Sequence, residues 1–539
     1  MSKYIFITGG VTSSLGKGIV AASLGKLLQS SGYKVAIQKF DPYINVDPGT
    51  LNPYEHGECY VTDDGMETDL DLGHYERFLD ITTSYANNTT GGSIYQNVIA
   101  KERKGIYLGK TVQVVPHIID EIKEYFKLLS NDTDDNHIII VEIGGTVGDI
   151  ESLPFIEAVR QFRLELTSKN LLNIHLTLLP YLGSTKELKT KPTQHSVKTL
   201  LSYGIQPDIV VCRASQCISL ELRKKIALFC NLNIEDVIEA IDTECIYKVP
   251  ILLLKENLNY IILKKFNFCN ITEPDLRQWN YFIQKLENPK YDVKLGIIGK
   301  YVELSDAYIS LRESLIHASA YTGCKINIQY LDSSLCEEDA YLDNALSRLD
   351  GILVASGFGY RGIEGKINAI KFARVNNIPF FGICLGMQCA IIEYSRNVIK
   401  LADSHSTEFF PDVKTPVIDI IENTTNIQSL KSNMRLGAYN CEIFADTRSA
   451  LCYKKDLVYE RHRHKYEFNN RYLKLYKEYG MVFAGMNTEN NIVEIIEIRD
   501  HPWFVATQFH PELKSTVLNP HPLFLGFTDA MIQHKMLHI

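Results

Sequence analysis

At 539 residues the chain exceeds what one ordinary hydrophobic core supports and is expected to form two or three domains. Its 45% apolar and 22% charged residues are those of a soluble globular protein, and a formal net charge of -8 excludes general electrostatic attraction to nucleic acid or to an anionic membrane. Twelve cysteines with no Cys-x-x-Cys pair argue against a disulfide framework or a zinc site and fit a reducing, cytoplasmic setting.

Tyr4 to Thr8 reads as a short apolar strand, followed by a glycine-rich turn from Gly9 through Gly18 and a helical pattern to Leu28. Such a turn aims backbone N–H groups and a lysine, here Lys17, at phosphates. Five residues rather than four separate Gly10 from Gly16, and Gly18 stands where serine or threonine would hold magnesium. The metal therefore needs other hard oxygen ligands, for which Asp71 and Glu142, the latter at the end of the apolar run 138–141, are the candidates. Lys186 to Gln194 clusters cations that suit a second triphosphate, with Pro192 expected to keep the segment from forming a regular helix; a solvated charged loop is the plain alternative.

Apolar runs at 35–37, 138–141, 176–179 and 209–212 alternate with helical patterns and predict a largely parallel, doubly wound sheet through about residue 267. Thr272, Pro274 and Asp275 offer helix-start signals before a stripe of Trp279, Phe282, Ile283 and Leu286, which predicts a packed linker helix stopped at Asn288-Pro289. A second alternating series starts at Lys294 and continues through 351–354 and 380–381. The uncharged stretch 375–392 around it contains Asn376, Asn377, Pro379, Gln388 and two glycines and reads as a strand and tight turn rather than a membrane span. Cys384, between Gly382 and Gly386, sits where a strand would turn into a helix whose N–H groups favour a thiolate. Gln508-Phe-His-Pro-Glu supplies His510 as base and Glu512 to orient it, and the N–H groups of Gly357 and Leu385 are candidate oxyanion donors.

Cys384, His510 and Glu512, in that chain order, resemble the class I glutamine amidotransferases. Residues 9–20, 41–50, 67–78, 142–155 and 189–196 are similar to the CTP synthase family, and the likeness runs nearly end to end. The resemblance implies an α/β protein: an N-terminal amidoligase domain with a phosphate-loop-like, doubly wound parallel sheet over 1–267, a linker with a helix over 268–290, and a class I glutamine amidotransferase α/β domain over 291–539. It implies ATP-dependent amination of UTP to CTP, with glutamine or ammonia as nitrogen source and Mg2+ as cofactor. It assigns ATP to Ser14, Leu15, Gly16, Lys17, Gly18 and Ile19, with Asp71 and with adenine near Ile241, Asp242 and Thr243. UTP and CTP fall to Ser13, Lys189, Thr190, Lys191, Pro192, Thr193, Gln194 and Lys225, with Asp149, Ile150 and Glu151 added for CTP as feedback inhibitor. Glutamine is assigned to Gly357, Leu385, Gly386, Met387, Gln388, Glu408 and Arg463.

The likeness further implies GTP activation near Tyr360-Arg361-Gly362, a homotetramer, and a sheltered ammonia passage walled by Tyr54-Glu-His56-Gly57. The chain departs from the pattern at Ala355-Ser356-Gly357-Phe358, where Pro-Gly-Gly-Phe is usual, and serine there would be strained if the position required positive φ. Two other readings remain open from the sequence: a cobyrinic or cobyric acid amidating ligase of similar architecture, and a regulatory subunit that binds nucleotide without turnover. A UTP conversion assay separates both from CTP synthesis.

Overall fold

The computed structural model describes residues 2–51, 57–130, 134, 136–166, 169–300, 302–420 and 434–538. Two compact units emerge, Met1–Thr50 with Thr68–Arg277, and Leu51–Glu67 with Gln278–Ile539. No helix among the described residues is long and apolar enough to cross a membrane.

The first unit is built on seven strands: β1 (Lys3–Gly9), β2 (Lys34–Asp41), β3 (Asn88–Thr90), β4 (His137–Ile143), β5 (Leu171–Leu179), β6 (Ile209–Ala214) and β7 (Val237–Ile241), in the order β7-β6-β5-β1-β4-β2-β3. Every pairing is parallel. A parallel sheet is covered on both faces, which is why 138–141 reads as an unbroken apolar run rather than an alternating one. Phe6 and Phe40 pack edge-on against Phe126 from the helix Ile119–Lys127, at centroid distances of 4.9 and 4.8 Å. The register sets Ile7 and Lys39 opposite Glu142, so the ends of the central strands bring charged groups together beside the turn that follows β1. Ligands of open α/β sheets bind at these carboxyl ends.

The main sheet of the second unit has nine strands: β8 (Tyr291–Gly299), β9 (Cys324–Asp332), β10 (Gly351–Val354), β11 (Phe380–Ile383), β12 (Arg435–Ile443), β13 (Leu457–His464), β14 (Met481–Asn487), β15 (Ile492–Ile498) and β16 (Phe504–Thr507). Their order is β9-β8-β10-β11-β16-β15-β14-β12-β13. The first five are parallel, three of them at the apolar runs of the second alternating series, and the remaining strands continue the sheet antiparallel.

The linker helix runs Arg277–Glu287 with Trp279, Phe282 and Ile283 buried. It starts later than its sequence signals suggest, because Asp275 accepts from the Arg277 N–H at 3.1 Å and leaves Thr272 and Pro274 ahead of the first turn.

Candidate active sites

β1 delivers the chain to a turn in which Val11, Ser14 and Gly16 all have positive φ, and the helix Lys17–Ser30 begins immediately after it. The Lys17 ammonium donates to the Gly145 carbonyl at 2.8 Å. Desolvation lowers its pKa, against the attraction of Glu142 and Asp71. Gly18 shows why this turn departs from the usual phosphate loop. A Cβ there would lie 2.0 Å from Asp71 Oδ1, so the Asp71 carboxylate fills the space that a serine or threonine side chain would take.

Between Asp71 and Glu142 stands Lys39, which the sequence reading did not single out. Its ammonium binds Asp71 and reaches Glu142 at 3.1 Å and Asp41 at 3.7 Å. Burial disfavours the charged form, yet the surrounding carboxylates hold its pKa well above the usual lysine value. Burial pushes the Glu142 carboxyl up and takes Asp69 up to about 7. Among the described residues no three His, Cys, Asp or Glu side chains form a metal cage. Asp71 and Glu142 do suit magnesium, an ion that draws most of its ligands from water and phosphate.

Leu15, Gly16 and Ile19 line one cleft with Ile241, Asp242 and Thr243, and Arg213 ties its two sides. The guanidinium donates to Asp242 Oδ1 at 2.8 Å and to the Ser14 and Leu15 carbonyls at 3.3 and 3.2 Å. The candidate UTP segment corrects one expectation. Lys191–Ser202 is a regular helix with Pro192 in its first turn, where proline is tolerated because the N–H it lacks has no helical partner. Gln194 donates to Thr190 Oγ1 at 3.0 Å, and Thr193 to the Leu178 carbonyl at 3.2 Å. Lys189 binds Glu187, whose carboxyl it holds below the usual range with help from Lys225. A Cβ on Gly10 would stand 1.6 Å from Ser196 Oγ, so this helix lies directly against the phosphate turn. Ser13 is exposed on that turn, and Asp149, Ile150 and Glu151 are exposed around the short turn Ile150–Ser152.

In the second unit, β11 ends at Ile383 and leads directly into Cys384, whose φ of 53° and ψ of -103° place it at a strained elbow before the helix Leu385–Tyr394. Glycine is required at 386, where a Cβ would approach the Val354 carbonyl oxygen to 2.3 Å. His510 Nδ1 meets Glu512 Oε1 at 2.8 Å, and its Nε2 has no hydrogen-bond partner among the described residues. Burial would lower the His510 pKa, but the Glu512 carboxylate and then Cys384 raise it to about 10. Gln508, not anticipated from sequence, donates to the Cys384 sulfur at 3.8 Å.

Gly357 follows β10 with Leu385 close by, and Ser356 is absent from the positive-φ residues, so the strain considered for it is not present. Glu408 accepts from the Gly359 N–H at 3.4 Å, and burial raises its pKa. The buried amide of Gln388 donates to the Tyr466 carbonyl at 2.8 Å while its oxygen is unpartnered among the described residues. Met387 is buried behind the elbow. Arg463 is already engaged: its Nε donates to Glu67 Oε1 at 2.9 Å, and its guanidinium lies 5.0 Å from the Phe358 ring centroid. Tyr360 is exposed, and Arg361 binds the Lys300 carbonyl. Of the expected passage wall, Tyr54, Glu55 and His56 lie outside the described residues.

The profile of the CTP synthase N-terminus matches residues 3–268, and that of class I glutamine amidotransferases matches 303–530. A CTP synthase of Cytophaga hutchinsonii is 60% identical over 529 residues, covering 98% of both chains. One from Christiangramia forsetii is 57% identical over 535 residues, covering 99% of this chain and 98% of its own. The solved glutaminase domain of Trypanosoma brucei CTPS with bound acivicin is 36% identical, covers 45% of this chain and 94% of its own, and gives a TM-score of 0.43. Identity of this depth, carried from end to end, decides between the architectures the sequence left open: the chain belongs to the CTP synthase family and is an enzyme that aminates UTP to CTP with glutamine as nitrogen donor.

Proposed function

We propose that the first unit activates UTP by transferring a phosphoryl group from ATP to the uracil O4, making a leaving group that ammonia displaces. The observation that carries this reading is the Asp71 carboxylate seated in the side-chain space of Gly18, with the Lys39 ammonium reaching both it and Glu142. Lys17 and the turn amides would stabilise charge on the ATP phosphates. Magnesium, held by Asp71 and Glu142, would neutralise the transferring group. Adenine would lie in the cleft of Leu15, Ile19 and Thr243, supported by the apolar lining there.

Ser13, Lys189 to Gln194 and Lys225 would grip the triphosphate of UTP or CTP. The exposed Asp149, Ile150 and Glu151 would read CTP alone, which gives feedback without misreading the substrate. In the second unit Cys384 would attack the glutamine carboxamide to form a thioester. His510 would pass the thiol proton to the leaving ammonia and then activate water, with Glu512 orienting it and the Gly357 and Leu385 N–H groups facing the oxyanion. Leu385 to Gln388 would lie along the substrate, Glu408 would take its amino group and Arg463 its carboxylate, in competition with Glu67. GTP activation near Tyr360-Arg361-Gly362, the homotetramer, the cytoplasmic setting, and domain limits at 1–267, 268–290 and 291–539 rest on the family likeness.

Lys17→Ala tests the activation step. CTP formation should fall about a hundredfold, or about 2.7 kcal/mol, with glutamine and with ammonium alike, while glutamine hydrolysis persists. Ammonium-dependent turnover near the wild-type rate would overturn the assignment.

A further inference from the structure

Lys366, on the helix Ile363–Val375, is completely removed from solvent and has no part in the chemistry above. Its ammonium donates to the carbonyl oxygen of Ala355, the residue that follows β10. On the far side of the same loop, Lys300 donates to the Phe358 carbonyl at 2.9 Å and to that of Gly359. The two amines thus hold carbonyls on either side of the peptide joining Ser356 to Gly357, whose N–H is a candidate oxyanion donor. Burying an ammonium is costly, and an apolar side chain would fill the same space without that penalty.

We infer that Lys366 is a positioning residue of the glutaminase, pinning the Ala355 carbonyl so that the Gly357 N–H stays aimed at the oxyanion formed at Cys384. The inference rests on the proposed role of Gly357. Burial lowers the Lys366 pKa to about 7, and the charged or titratable groups acting on it are Cys389 and Cys384 on one side and Lys300 on the other. None is a carboxylate, so the backbone carbonyl is the polar group that justifies an amine there.

Lys366→Met removes the donor while keeping an apolar stem of similar length. Because a donor aimed at the oxyanion works mainly in the transition state, the variant should lose about tenfold in glutamine-dependent kcat with the glutamine KM within about twofold of wild type. Ammonium-dependent turnover and the melting temperature should not fall, and Lys366→Arg, which retains a donor, should recover part of the loss. Cys384→Ala is measured alongside. Wild-type glutamine kcat in Lys366→Met, with Cys384→Ala inactive on glutamine, would overturn this inference alone. Equal losses with both nitrogen sources, or equal losses in the Met and Arg variants, would leave Lys366 a packing role and also overturn it. Glutamine use by Cys384→Ala would instead overturn the reading on which it rests. Should the methionine variant not fold, Lys366→Leu, which also lacks a donor, is judged by the same criteria.

Discussion

Replacing Gly18 by serine restores the residue type that an ordinary phosphate loop carries, and the geometry here predicts that it destroys activity rather than improving it. A Cβ at residue 18 would lie 2.0 Å from Asp71 Oδ1 and 2.7 Å from its Cγ, whereas 3.4 Å is the start of ordinary contact. The carboxylate must therefore shift by about 1.4 Å, which disturbs its contact with Lys39. Overpacking of this kind costs about 1–3 kcal/mol of stability. The larger effect falls on catalysis, because a displacement of about 1 Å at a phosphoryl-transfer site costs on the order of a hundredfold. Ammonium-dependent CTP formation, followed by the ultraviolet change as UTP is converted, should fall at least a hundredfold, about 2.7 kcal/mol. Gly18→Ala should match it, since the Cβ and not the hydroxyl does the damage. Glutamine hydrolysis at Cys384 should persist and report an intact second unit. A Gly18→Ser enzyme turning over ammonium within about threefold of wild type would refute the placement of Asp71.

Glu512→Gln removes the carboxylate that raises the His510 pKa to about 10, so the alkaline limb of the glutaminase profile should move to lower pH and kcat should fall by about 10²–10⁴. A raised folded pKa contributes stability that is complete below the unfolded histidine value of about 6.5 and is lost as pH rises through about 10, so the wild-type advantage in melting temperature should be largest near pH 6 and shrink toward pH 10. Glu151→Ala, at an exposed position, should raise the CTP concentration needed for inhibition about tenfold, or about 1.4 kcal/mol, and change the UTP KM far less; equal weakening of both would place Glu151 in a shared site.

The elements easiest to see in the sequence are those where backbone crowding forbids a side chain. Gly10, Gly18 and Gly386 each face an atom closer than any Cβ tolerates, so their spacing in the chain records the turns directly. Lys39 escaped notice because a single lysine near the end of an apolar strand carries no periodic signal; its meaning lies in cross-strand register with Glu142. The antiparallel half of the second sheet was hidden for a related reason. In β13 the run Glu460-Arg461-His462-Arg463-His464 carries no apolar residue, yet most of it is buried through pairs such as Arg461 with Asp63 and His521 with Glu460. Pro192 illustrates the opposite error: a residue read as a helix breaker sits where a helix begins. Glu67 became visible as the partner of Arg463 only once Leu51–Glu67 was seen to pack with the second unit.

The central claim is a division of labour, with nitrogen released at Cys384 and consumed at a separate UTP-activating site. Its most direct test is Cys384→Ala assayed in parallel with glutamine and with ammonium, both with UTP, ATP and magnesium present. The account predicts loss of CTP formation from glutamine and ammonium-dependent synthesis within about twofold of wild type. A folded variant that has lost both activities, or one that still uses glutamine, would contradict it.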